Sequence, residues 1–182
     1  PIYVANVGRL NKQNIDRNMP KIAKYIKDIC ESHGNEKGII HTHTLDITKQ
    51  LQKYLKGDRY LFRDKESKND NILSKHSKSK EPTIIVSPSM TFGIDLRDDL
   101  ARFQIIVKAA YLPLGDNRIK RLFDEDKVWY TDKMLINLVQ ACGRGIRSKD
   151  DYCTTYIIDQ AITDAVIANR AKLPKYFVDR FV

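Results

Sequence analysis

The residues of this 182-residue chain best suited to chemistry form one short run, Gln140-Ala141-Cys142-Gly143-Arg144-Gly145-Ile146-Arg147. In helical geometry Gln140, Arg144 and Arg147 fall at i, i+4 and i+7 on one polar face, while Leu135, Leu138, Val139 and Cys142 form the apolar face. Two guanidinium forks and a side-chain amide then point the same way, a cluster of hydrogen-bond donors with two fixed positive charges. Gly143 and Gly145 flank Arg144, and a glycine costs about 1 kcal/mol inside a helix. They imply either a close approach to the backbone or the end of the helix, where basic residues before a glycine stop would simply complement the helix dipole.

A second run, Ser87-Pro88-Ser89-Met90-Thr91-Phe92-Gly93-Ile94-Asp95, follows the apolar stretch 83–86. In open α/β sheets ligands bind beyond the carboxyl ends of strands, so these hydroxyls and the Gly93 backbone are placed to meet phosphate oxygens. As an ordinary turn with Asp95 as a local cap, the same run would need no ligand. The third run, His41-Thr42-His43-Thr44, follows Gly38-Ile39-Ile40 and leads into a helix. Threonine hydroxyls beside the free N–H groups of a helix start make an anion site. His41 and His43 have no third ligand at a sensible spacing, so no metal site is expected there.

No glycine opens a G-x-x-x-x-G-K-[ST] loop, so the backbone cradle and lysine that hold ATP phosphates are absent. Asp124-Glu125-Asp126 follows the charged helical pattern Ile119-Lys120-Arg121-Leu122-Phe123 rather than a buried strand, and reads as a solvated helix face instead of a magnesium site. The net charge of +9 favours a polyanion, either nucleic acid or an acidic membrane surface. That surplus is uneven, since residues 1–80 hold 17 Lys/Arg against 9 Asp/Glu and residues 81–182 hold 15 against 14. Cys30, Cys142 and Cys153 lack C-x-x-C spacing, which argues against a disulfide framework, a zinc site or an iron–sulfur cluster. No window approaches the ~18 apolar residues of a membrane span, and no signal segment opens the chain. A single domain with a real core, in a cytoplasmic protein without a membrane partner, is expected. A chain that starts at Pro1 and enters Ile2-Tyr3-Val4 at once is expected to be part of something longer.

The elements that must position these runs alternate between apolar β-rich stretches and helical ones. Strands are expected over 2–7, 38–42, 83–87, 103–107 and 154–158, and helices over 21–32, 45–55, 117–142 and 161–171. Met19-Pro20 marks the start of the first helix, and Thr44 is placed to cap the second. Residues 63–81, densely charged with four serines, read as an exposed insertion and flexible surface loop with one helical turn near 71–76. The alternation predicts an α/β fold, an open and mostly parallel sheet with helices on both faces.

Taken in order, the three runs resemble motifs IV, V and VI of superfamily 2 helicases of the DinG/XPD-like branch, in the second of their two RecA-like domains, over roughly residues 36–160. Departures are Phe92, where the branch has Glu before the motif V glycine, and Gln160, where it has Arg after Asp159. The resemblance implies a RecA-like fold and an ATP site shared with an N-terminal RecA-like domain of the same protein, which would supply the phosphate loop and the Mg2+ ligands. It implies that Arg144 and Arg147 reach the β- and γ-phosphates as arginine fingers and that Gln140 senses the γ-phosphate. Gly93, Asp95 and Gly143 would face the nucleotide. Arginine suits this role because a planar guanidinium matches the charge spread over a transferred phosphoryl group, an effect of about 10³–10⁵ in rate. Thr42, His43, Thr44, Ser87 and Ser89 would contact single-stranded nucleic acid, which suits the basic first 80 residues.

The resulting expectation is the C-terminal motor domain of an ATP-dependent DNA helicase or translocase, moving 5′ to 3′ and inactive as a separate piece. The alternatives are a RecA-like module that binds nucleic acid without assisting hydrolysis, and a translocase that does not separate strands. A binding module would have no need to keep Gln140 and two arginines on one face.

Overall fold

Three four-residue strands are buried at every position: β2 (Gly38–His41), β4 (Ile84–Ser87) and β5 (Phe103–Ile106). Apolar runs of this kind need cover on both faces, which a parallel sheet with crossover helices provides. With β1 (Ile2–Val4), β3 (Tyr60–Phe62) and β6 (Thr154–Ile157) they form a six-stranded sheet in the order β1-β6-β5-β2-β4-β3. Every pairing is parallel. The computed structural model describes residues 1–5, 7–63, 69–88, 96, 98–143 and 151–182.

The two-residue period of the strands sorts the core into two layers. Ile40, Ile84, Val86, Phe103 and Ile105 pack with α1 (Ile15–Ser32) and α2 (Leu45–Gln52). On the opposite face, Ile106 and Ile157 pack with α5 (Lys127–Gly143), α6 (Gln160–Ala168) and α7 (Lys175–Val178). Ile39 and Ile85 on that face cover partly buried Ile72 and Leu73 of α3 (Asn69–Lys78). Close packing at the centre needs a glycine: a Cβ on Gly38 would lie 2.4 Å from the fully buried Phe103 ring. Behind that ring His33 stacks at 4.4 Å between centroids.

Several elements differ from the sequence expectation. Helix α1 starts at Ile15, so Pro20 lies inside it rather than at its start. The Asn11 side chain accepts from the Gln13 and Asn14 amides at 2.9 and 3.0 Å, which organises the preceding turn. Burial of Ile15, Met19, Ile22, Ala23, Ile26 and Ile29 then offsets the backbone bond that Pro20 cannot make. The helical region expected over 117–142 is divided into α4 (Asn117–Glu125) and α5, because Asp126 accepts from the Val128 and Trp129 amides at 2.9 and 3.0 Å and caps a new helix. The turn expected near 71–76 is the ten-residue α3. It is pinned rather than loose: His76 is 0% exposed and bonds the Thr83 hydroxyl and the Leu100 carbonyl, each at 2.8 Å. Edge strand β3 and helix α7 carry no clear signal in the sequence.

Candidate functional site

The carboxyl ends of β2, β4, β5 and β6 gather the loops that the sequence singles out. After β2 the ladder continues for one residue, the Thr42 amide donating to the Ser87 carbonyl at 3.0 Å and the Val107 amide to the His41 carbonyl at 2.9 Å. His43 then turns the chain with φ 70°, a left-handed conformation uncommon outside glycine. That turn brings Thr44 to the start of α2, where its hydroxyl accepts from the Ile47 amide at 3.3 Å, the cap expected from the sequence.

Two of the residues expected to contact a strand are buried. Thr42 is 0% exposed, its hydroxyl 2.6 Å from that of Thr48, and both hydroxyls lie 3.2 Å from the Thr44 carbonyl. Its hydroxyl is used inside the loop. Ser87 is 2% exposed at the end of β4, so its hydroxyl is likewise covered. His43, half-buried, and Thr44, exposed, remain at the surface of this loop. Ser89, Gly93, Asp95, Arg144 and Arg147 lie outside the described residues.

Asp159, directly after β6 and 1% exposed, ties the loops together. One carboxylate oxygen accepts from the Leu10 amide at 2.9 Å and the Ala161 amide at 3.0 Å, and the other from the Ala109 amide at 3.0 Å. One side chain thus fixes the loop after β1, the loop after β5 and the start of α6. An acid between an apolar strand and a helix is the sequence signal for this role.

Between these loops and α5 lies a cavity of about 260 Å³, with Ile106, Met134, Leu138 and Ile162 as its apolar wall and His41, His43, Lys108, Tyr111 and Asn137 as its polar groups. Burial lowers the His43 pKa, with the Lys108 charge adding to the effect and Asp159 opposing it, so the ring is neutral near neutral pH. His41 bonds Gln104 at 3.1 Å and Gln104 donates to Thr155 at 2.9 Å, a polar ladder across β2, β5 and β6 beneath α5. Above, the Tyr130 hydroxyl donates to the Leu112 carbonyl at 2.6 Å and fixes the outer loop to α5.

Helix α5 carries Gln140 on its exposed side, one residue from the cavity-lining Ala141, and Gly143 is exposed at its end. The carbonyl of buried Cys142 accepts from Arg180 at 3.1 Å, a cation at a helix C-terminus. Burial pushes the thiols of Cys142 and Cys153 up to about 12 and that of Cys30 to about 11, so none is a nucleophile at neutral pH. Among the described residues no group of three His, Cys, Asp or Glu side chains is placed to hold a metal ion. None of their helices is long and apolar enough to cross a membrane.

An open, parallel sheet with loops gathered at the strand carboxyl ends is common to several doubly wound folds, and the comparisons match it to RecA-like helicase domains. Residues 26–178 match the helicase C-terminal domain family, and the chain belongs to that family. S. tokodaii Xpd4 has a similar structure, with a TM-score of 0.66 at 16% identity, covering 96% of this chain and 36% of that one. An apo XPD structure is similar at a TM-score of 0.74 and 17% identity, covering 96% of this chain and 38% of that one. The C-terminal domain of the DEAD-box protein Dbp5 is matched at a TM-score of 0.59 and 12% identity, over 95% of this chain and 86% of that domain. The chain therefore spans just over a third of each of these XPD structures. No curated protein matches it in sequence.

Proposed function

We propose that this chain is the C-terminal motor domain of an ATP-dependent DNA helicase or translocase of the DinG/XPD-like branch. The observation that carries the reading is the convergence of the His41–Thr44 loop, the end of β4 and the last turns of α5 on one cleft at the strand carboxyl ends, within a helicase C-terminal domain. The donor chemistry of this segment fits a nucleotide: Gln140 offers an exposed amide on α5, and Arg144 and Arg147 lie four and seven residues further along the sequence. When bound, ATP with its Mg2+ supplies the phosphoryl group whose transfer to water drives the motion. In this reading Gln140 reports the presence of the γ-phosphate and the two arginines neutralise charge on the phosphates. An N-terminal RecA-like domain contributes the phosphate loop and the metal ligands.

Strand binding belongs to the same end of the sheet. Exposed Thr44 and half-buried His43 offer the surface groups of the motif IV loop, while buried Thr42 and Ser87 lie beneath them. Opening and closing of the two domains then steps this surface along the strand.

In the full-length protein, Arg147→Ala should abolish ATP hydrolysis and leave single-strand affinity nearly intact; preserved turnover would sink the assignment. Affinity for single-stranded DNA should fall steeply with rising salt if the basic first 80 residues meet the backbone. A salt-independent affinity would mean that this charge only solvates the surface.

A further inference from the structure

Around the cavity between the strand carboxyl ends and α5, polar side chains divide into two kinds. Those at its base are committed internally: His41 to Gln104, Gln104 to Thr155, and Thr42 to Thr48. Four others that line it are not. Among the described residues, the side chains of His43, Lys108, Tyr111 and Asn137 have no hydrogen-bond or ion-pair partner in the chain. All four are half-buried, between solvent and an apolar floor of Ile106, Leu138 and Ile162.

The lining selects an occupant by charge, size and shape. Lys108 is a fixed positive charge and no carboxylate is among the described lining residues, so a cationic ligand finds no counter-ion there. His43 adds no charge near neutral pH, because burial lowers its pKa. What fits is a neutral body with a negative group at its rim. The volume of about 260 Å³ lies just below the roughly 300–1,000 Å³ of pockets that take drug-sized ligands, and suits one ring system. Tyr111 stacks on Tyr130 with ring centroids 5.2 Å apart at 14°, and Phe123 meets Tyr130 edge-on at 4.9 Å. Since the Tyr130 hydroxyl is tied to the Leu112 carbonyl, Tyr111 is a fixed aromatic platform of the kind on which nucleobases stack. The Asn137 amide supplies both a donor and an acceptor for the edge of a base.

We propose that this cavity receives one unpaired base of the bound strand, with Tyr111 as its stacking partner, Asn137 and His43 at its polar edge and Lys108 beside its phosphate. The inference rests on the strand-binding reading above. His43 makes the connection, because it belongs both to the surface of the His41–Thr44 loop and to the cavity wall. A base leaves a single strand more cheaply than a duplex, where pairing must also be broken, so the pocket favours single strands. A free nucleotide carries the same base and phosphate; continuity with the loop favours the strand as the source.

The test is binding of short single-stranded DNA to the full-length protein, with one abasic site moved along the oligonucleotide. The parent is compared with Tyr111→Ala and Asn137→Leu, and Tm is measured for each. The expected result is a loss of about tenfold in parent affinity at one abasic position, with little change at the others. Intact DNA should bind both variants about tenfold more weakly, and that abasic position should then cost them less than about twofold, because each change removes the same contact. A parent that binds every abasic oligonucleotide as tightly as the intact one overturns the proposal. So does a position-dependent loss that the folded variants retain in full, since the base is then held elsewhere. Thymidine monophosphate probes the other source: if it binds the parent but not Asn137→Leu while every abasic site is silent, the occupant is a free nucleotide and the strand proposal is overturned. A parent with no affinity for single strands overturns the strand-binding reading and the base pocket with it.

Discussion

Three backbone amides converge on Asp159, and its carboxylate is closed off from solvent, so N–H dipoles replace the water it would otherwise bind. An asparagine of the same shape has one acceptor oxygen and must turn an NH2 toward an amide that wants an acceptor. Asp159→Asn is therefore expected to cost about 2 kcal/mol or more, the range for a bond to a charged group. Urea unfolding should show a lower midpoint at an unchanged m value, and an unmoved midpoint would contradict the clamp. At this scale the sequence was legible in residue type but not in direction. A threonine that presents its hydroxyl to a ligand and one that spends it internally are the same letter. Only the packing of Thr42 against Thr48 shows which it is.

The strands illustrate what can be read at the next scale. Ile84-Ile85-Val86 and Gly38-Ile39-Ile40 were recognisable because burial on both faces demands an unbroken apolar run. Tyr60-Leu61-Phe62 escaped notice because a three-residue edge strand between Arg59 and Arg63 has no such demand on it. Helix α1 starts five residues before Pro20 because proline is a local signal, whereas the Asn11 turn and the apolar stripe that override it act over several residues. Packing between elements yields a sharp expectation at Gly38. A methyl group there meets the Phe103 ring, itself backed by His33, so the neighbour cannot give way. Gly38→Ala should destabilise by about 1–3 kcal/mol through overpacking, without any backbone strain. Combining it with Phe103→Leu should recover part of the loss in thermal unfolding, and additive losses would rule out the clash.

For the whole molecule, two histidines on separate elements respond to acid in the same direction. Burial holds the His43 and His76 pKa values below the ordinary one, with Lys108 and Lys37 respectively contributing. Below a pH of about 6.5 the unfolded chain takes up protons that the folded chain refuses, so stability falls as pH drops toward the folded values and is fully present above about 7. At lower pH Glu36 continues the trend: burial opposes its ionisation, but bonds from His33 and Tyr152 prevail and hold its carboxyl below the usual range. Tm should therefore decrease between about pH 7.5 and 5.5, and a flat profile there would contradict both assignments. The order of the sheet has a further consequence, for the time course of folding. Strand β1 is the first of the described strands, yet it pairs with β6, the last of them, with Ile2 opposite Thr155, and on its other side Ile2 bridges Phe181. On a ribosome β1 must wait, its hydrogen-bonding groups unanswered, while five other strands are made. The β2–β5 centre can assemble in the meantime, and β1 can pair only after β6 is made, a non-local contact of the kind that slows folding.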